Sequence, residues 1–118
     1  MVLYIKKLNG WETMKDIEKF IKALQDEDFV KGHEVLEERW KELKNSPQTL
    51  DESKFLKGLI NGSTAIALKL RGKEDGAKRV WQTYIKYKPL IDDIKSEDLK
   101  LYKEAIDLLE ERYTKYFK

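Results

Sequence analysis

The stretch FVKGHEVLEERWKEL, residues 29–43, decides the fold. Its stripe runs Phe29, His33, Leu36, Trp40, Leu43, at spacings of four, three, four and three. That is the period of an α-helix with one face turned to a core. Asp28 stands where a side-chain cap is needed, and Asn45-Ser46-Pro47 stops the run.

Both flanks repeat the pattern. Upstream, Thr13 with Asp16 forms an approximate capping box, and Met14, Ile17, Phe20 or Ile21, and Leu24 follow at helical spacing. Asp26-Glu27-Asp28 breaks that helix. Downstream, Thr49-Leu-Asp-Glu52 is a capping box for a third helix. From Phe55 to Leu70 this helix is apolar or small nearly all round, so it is expected at the centre. Gly58 and Gly62 share one of its faces. Glycine costs roughly 1 kcal/mol inside a helix, so the pair implies close approach of another backbone, within the chain or from a second copy. Gly72 ends the helix, and Gly76-Ala77 opens a fourth with Val80, Trp81, Tyr84 and Tyr87, ending before Pro89. Ser96-Glu97-Asp98 caps a fifth, whose stripe is Leu99, Tyr102, Ile106, Leu109, Tyr113 and Tyr116. Residues 1–10 form a short apolar–basic arm closed by Asn9-Gly10, expected to pack on the bundle or on a neighbouring subunit. The expectation is an all-α fold, one domain over residues 1–118, a compact bundle of about five helices. Short loops make sequential helices antiparallel, with the second and third packed across the His33–Glu37–Trp40 face.

Composition narrows the function classes. At 118 residues the chain fits one domain. It has no cysteine, which removes disulfides, thiolate metal sites and thiol nucleophiles. Charged residues make up 39%, above the usual quarter or so, yet 24 basic against 22 acidic leaves only +2. The pI of 8.6 falls short of the value above about 9 usual for dedicated nucleic-acid binders. The longest uncharged run, residues 58–68, is too short to span a membrane, and Lys6-Lys7 interrupts the N-terminal apolar run before a signal peptide could form. A cytoplasmic protein is expected. Lys and Glu excess with few Asn and Gln matches the composition of heat-adapted proteins.

Chemistry concentrates on one turn. His33 is the only histidine, and Glu37 lies one turn on, on the same helical face. Trp40 continues that face. Imidazole and carboxylate side by side can share a divalent metal ion or relay a proton. The second histidine of a His-Glu-x-x-His zinc motif is absent. Glu34 and Glu38 lie about 100° and 140° around the helix from His33, so they are lesser candidates, and further metal ligands would have to come from another helix or subunit. Alternatively His33 and Glu37 form a buried hydrogen-bonded pair in a structural module. Residues 69–88 hold seven basic and two acidic residues interleaved with Trp81, Tyr84 and Tyr87, a pattern that single-stranded nucleic acid binding uses; a solvated helix with its aromatics in the core is the plainer reading.

Three blocks resemble a known family: residues 29–40, Phe55-Leu-Lys-Gly58-Leu-Ile60, and Gly72 through Gly76-Ala77. Over about residues 20–85 the chain is similar to DUF309, small prokaryotic proteins marked by His-x-x-x-Glu-x-x-Trp/Tyr. His33, Glu37 and Trp40 meet that marker. The resemblance implies a compact helical bundle of unknown function whose motif has been suggested to bind metal. Lys57 and Asn61 stand where glutamines often flank Gly-Leu-Ile, and Leu68 stands near a position where relatives often carry a second histidine.

The expected functions are therefore three. The first is a metal- or small-ligand-binding domain or a metal-dependent enzyme, with His33 and Glu37 as metal ligands, Trp40 as the wall of the ligand site, and Glu34 and Glu38 as lesser ligand-binding groups. The second is an interaction module, with a homodimer plausible. The third and weakest is nucleic-acid association through residues 69–88.

Overall fold

The computed structural model describes residues 13–117, all of which fall into helices and short connections; the arm at residues 1–10 lies outside the described residues. Five α-helices follow in order: α1 (Asp16–Gln25), α2 (Phe29–Leu43), α3 (Leu50–Leu70), α4 (Glu74–Tyr87) and α5 (Leu99–Phe117). Short 3-10 turns, Pro47–Thr49 and Lys88–Asp93, precede α3 and follow α4.

Helix α3 is central: it packs against α2, α4 and α5, while α1 bridges α2 and α5. Its composition requires that place. Phe55, Leu56, Leu59, Ile60, Ala65 and Ile66 are all buried, while Lys54, Lys57, Asn61, Thr64 and Leu68 form a strip that reaches solvent. The two glycines set how closely the neighbours approach. A methyl group at Gly58 would meet Tyr87 Cβ at 3.1 Å and Tyr84 Cα at 3.6 Å, both on α4. At Gly62 it would meet Leu109 Cδ2 of α5 at 2.6 Å. The glycine face is thus filled from within the chain, and no second copy docks there. The last turn of α3 differs from expectation. Leu70 is 53% exposed. The reason is register: Ser63 donates to the Phe29 carbonyl at 2.7 Å, so α3 continues past the start of α2.

Local chemistry moved several helix ends. Helix α1 starts at Asp16 rather than just after Thr13, because the Lys15 backbone N–H donates to Glu18 Oε1 at 2.8 Å. Asp28 caps α2 as expected, accepting from the Lys31 N–H. The capping box at Thr49 does not form. Its hydroxyl donates backward to the Leu43 carbonyl at 2.5 Å, and Glu52 instead accepts from the Tyr102 hydroxyl of α5. Helix α4 starts two residues early, at Glu74, since Gly72 (φ of 80°) reverses the chain and Glu74 and Asp75 suit the positive helix start. Ser96 accepts from the Asp98 N–H beside the start of α5.

The α1–α2 turn carries an unforeseen device. Glu27 has a φ of 56°, where glycine is preferred. The Asp28 N–H reaches the Ala23 carbonyl and the Glu27 N–H the Leu24 carbonyl, a Schellman end. A carboxylate stands there because α5 uses it: Lys115 donates at 2.7 Å and Tyr116 also donates. Arg112 meanwhile donates to the Leu24 carbonyl at 3.0 Å, satisfying the end of α1. Hydrogen bonds from Lys115 and Tyr116 hold the Glu27 carboxyl below its usual range. A lowered folded-state value means stability that is present above the ordinary carboxylate range and lost as pH falls through it. Glu27→Gln is therefore expected to flatten the acid limb of stability, read as urea midpoints across the acid range; parallel curves for both proteins would refute the network.

Two tyrosines tie α5 to its neighbours. Tyr84 is fully buried and donates to Glu110 at 2.5 Å; Tyr102 is buried and donates to Glu52. Burial first, then these carboxylates, push both phenols well above their ordinary value. The fold holds their protons where the unfolded chain releases them, so stability is intact below about pH 10 and falls as pH rises beyond it. Ultraviolet titration is expected to show two of the six tyrosines ionising only on unfolding. All six ionising in the folded protein would contradict this.

Candidate functional site

His33 and Glu37 lie on α2 where it crosses α3. The crossing is antiparallel and close: a methyl group at Gly32 would sit 2.6 Å from Ser63 Oγ. His33 Nδ1 is 3.2 Å from Thr64 Oγ1 of α3. The Thr64 hydroxyl has one proton, which it donates to the Ile60 carbonyl at 3.0 Å. The Nδ1 contact then requires the imidazole N–H to donate to Thr64. A neutral imidazole then has its lone pair on His33 Nε2, 3.8 Å from Glu37 Oε1, whereas a protonated one turns a second N–H toward that carboxylate. That separation is too long for a direct hydrogen bond. Both side chains reach solvent, so water, another donor or a cation can lie between them.

The buried-pair expectation needs correction. The His33 and Glu37 side chains are 40% and 44% exposed. They stand at the open edge of the α2–α3 crossing, because the core side of α2 is taken by Phe29, Gly32, Leu36 and Leu43. Trp40 is half-buried, but its ring is not a bare wall: Lys44 and Lys57 lie over it at 4.8 and 5.0 Å from its centroid. Lys57, where relatives often have glutamine, thus covers an aromatic face. Glu34 and Glu38 line a shallow charged recess on the α1 side with Asp16 and Lys19, away from Thr64, as their angles around the helix required. Among the described residues, no group of three or more His, Cys, Asp or Glu side chains could hold a metal ion. Catalytic zinc takes three protein ligands as a rule, so the residues present do not by themselves fit a resident metal.

Two neighbouring hollows were not legible in the sequence. One, about 150 Å³, brings His33 and Thr64 together with Val30, Leu68 and Arg71. The other, about 210 Å³, lies at the end of α3 between Asp28, Val30, Leu70 and Arg71. Both fall below the roughly 300 Å³ at which pockets enclose small molecules. A larger cavity, about 390 Å³, has an apolar floor of Ile17, Leu36 and Leu56 and contains none of the expected site residues. In the basic segment, Trp81 and Tyr84 are core residues. Lys69 and Lys78 pair with Glu74, and Lys88 pairs with Glu110. Trp81 and Tyr84 offer no ring for a base to stack on.

The family model described as a domain of unknown function, DUF309, matches residues 17–80, which include α2, α3 and the His33–Glu37–Trp40 marker. The chain belongs to the DUF309 family. No curated protein and no solved structure matches it. The DUF309 match ends within α4, so it takes in the α2–α3 crossing whole and leaves out α5. Within this DUF309 chain Leu68 shares the hollow of His33, so a second histidine near that position would stand beside the first.

Proposed function

We propose that the protein is a non-enzymatic interaction module that docks a partner on the open α2–α3 face centred on His33 and Glu37. The observation that carries this reading is the facing pair His33 Nε2 and Glu37 Oε1, 3.8 Å apart and half exposed beside hollows too small to enclose a ligand. Such a pair suits a donor presented by another macromolecule's surface. No described helix is long and apolar enough to cross a membrane, and the cytoplasm of a prokaryotic cell is the setting proposed for this module. Carboxyl footprinting tests the reading. Glu37 is expected to label less in cells than in dilute purified protein, with exposed Glu111 on α5 unchanged. Equal labelling of Glu37 in both settings would overturn it.

The metal reading retains one support, the lone pair on Nε2 next to a carboxylate. Among the described residues it lacks a third ligand, and Leu68→Ala would not supply one, whereas Leu68→His would add an imidazole to the hollow of His33. Leu68→His is expected to tighten Zn²⁺ binding at least tenfold, about 1.4 kcal/mol, in calorimetric titration of the purified chain. Unchanged affinity would show that the hollow cannot gather ligands. Tight stoichiometric metal in the unaltered protein, lost in His33→Ala, would favour metal over docking.

A further inference from the structure

Among the described residues, Val30 and Leu70 are two of four large apolar side chains left well exposed, at 45% and 53%. They line one hollow, whereas single exposed apolar residues are ordinary. The same hollow holds charges of both signs. Asp28 caps α2 through Oδ1 and has no ion-pair partner among the described residues, and neither does the Arg71 guanidinium. One surface therefore carries a protruding Leu70, a hollow of about 210 Å³ beside it, the Arg71 cation and two carboxylates, of which Glu27 is taken by Lys115 and Asp28 remains for a partner.

Those features complement themselves. In a two-fold pair the same patch serves both copies, so every knob needs a hole and every cation an anion on one face. A net charge of +2 opposes self-association little. From this we infer that the partner of the docking face is a second copy of this chain. Leu70 of each copy enters the Val30 hollow of the other, and Arg71 of each meets the other's Asp28. The inference rests on the docking reading above and names its occupant.

Sedimentation equilibrium over a rising concentration series tests it with the full chain. The unaltered protein is expected to dimerise with a dissociation constant on the order of micromolar, ordinary for a modest interface. Leu70→Glu is expected to weaken the dimer at least tenfold, and Arg71→Glu likewise. Ile85→Glu, at a comparably exposed position on α4, is expected to leave it intact. Circular dichroism melts identify any variant that fails to fold, and Arg71→Glu then stands in for Leu70→Glu. A monomer up to about 1 mM, the weak limit of specific binding, overturns the inference, as does a dimer insensitive to both Leu70→Glu and Arg71→Glu. A monomer in solution with Glu37 still protected in cells would overturn the second copy alone and leave the docking reading standing. A monomer with Glu37 unprotected would remove both.

Discussion

Trp81→Ala is expected to cost about 3–5 kcal/mol of folding stability, the range for removing a buried aromatic side chain. Trp81 is 5% exposed on α4. Its ring stacks on Tyr113 of α5, with centroids 3.6 Å apart and planes 11° from parallel. On its other flank it meets Tyr84 at 4.5 Å. It also closes over Gly62 of α3, where its Cζ3 is 3.4 Å from the place a methyl group would take. One indole thus joins three helices, and no small side chain can restore those contacts. For a chain of this size the melting temperature should fall by roughly 10–20 °C. Calorimetry or a thermal circular dichroism scan reads it. Trp81→Phe should lose clearly less, since a ring can still lie against Tyr113. A loss below about 1 kcal/mol for Trp81→Ala would mean that α5 does not depend on this stack.

Gly32→Ala is the second large effect, and it looks harmless in the sequence. Alanine in place of glycine favours a helix by about 1 kcal/mol. Here the added methyl group would lie 2.6 Å from Ser63 Oγ, so something must move. Ser63 is fully buried, and its hydroxyl donates to the Phe29 carbonyl at 2.7 Å. Displacing it leaves buried polar groups unsatisfied, about 1–3 kcal/mol, on top of about 1–3 kcal/mol for overpacking. The net expectation is a loss of about 1–5 kcal/mol after the helix gain. Urea unfolding measures it. Adding Ser63→Ala should recover part of that loss, because the clash with Oγ is gone, a coupling visible in a double-mutant cycle. Additive effects would show that the two residues do not press on each other. The same crossing sets the His33–Thr64 contact, so the variant should also disturb the docking face.

The fold was largely legible because helical period and breakers are local signals. The stripes of α2 and α5, Gly72 and the all-round apolar character of α3 each follow from side chains a few residues apart. Ends were misjudged where a distant partner intervened. Glu52 reads as a capping-box acid, but Tyr102, fifty residues on, takes its carboxylate. Glu27 reads as a helix breaker, but Lys115 and Tyr116 give its carboxylate a use. Gly58 and Gly62 signalled close packing, and only their neighbours could tell a fold contact from an interface.

The candidate site divides in the same way. Sequence by itself determined which groups could do chemistry: one histidine, no thiol, and a carboxylate and an indole on one helical face. It also fixed that Glu34 and Glu38 turn away, since 3.6 residues per turn is a property of the helix alone. Tertiary structure decided what those groups can do. The α2–α3 register placed Thr64 against Nδ1, left Nε2 facing the Glu37 carboxylate without a direct hydrogen bond, and kept both at an open edge. It also carried the end of α3 past α2, exposing Leu70 beside Arg71. None of this is local. Helix period follows from backbone geometry within a few residues, whereas burial and hydrogen-bond partners depend on where separate helices stop relative to one another.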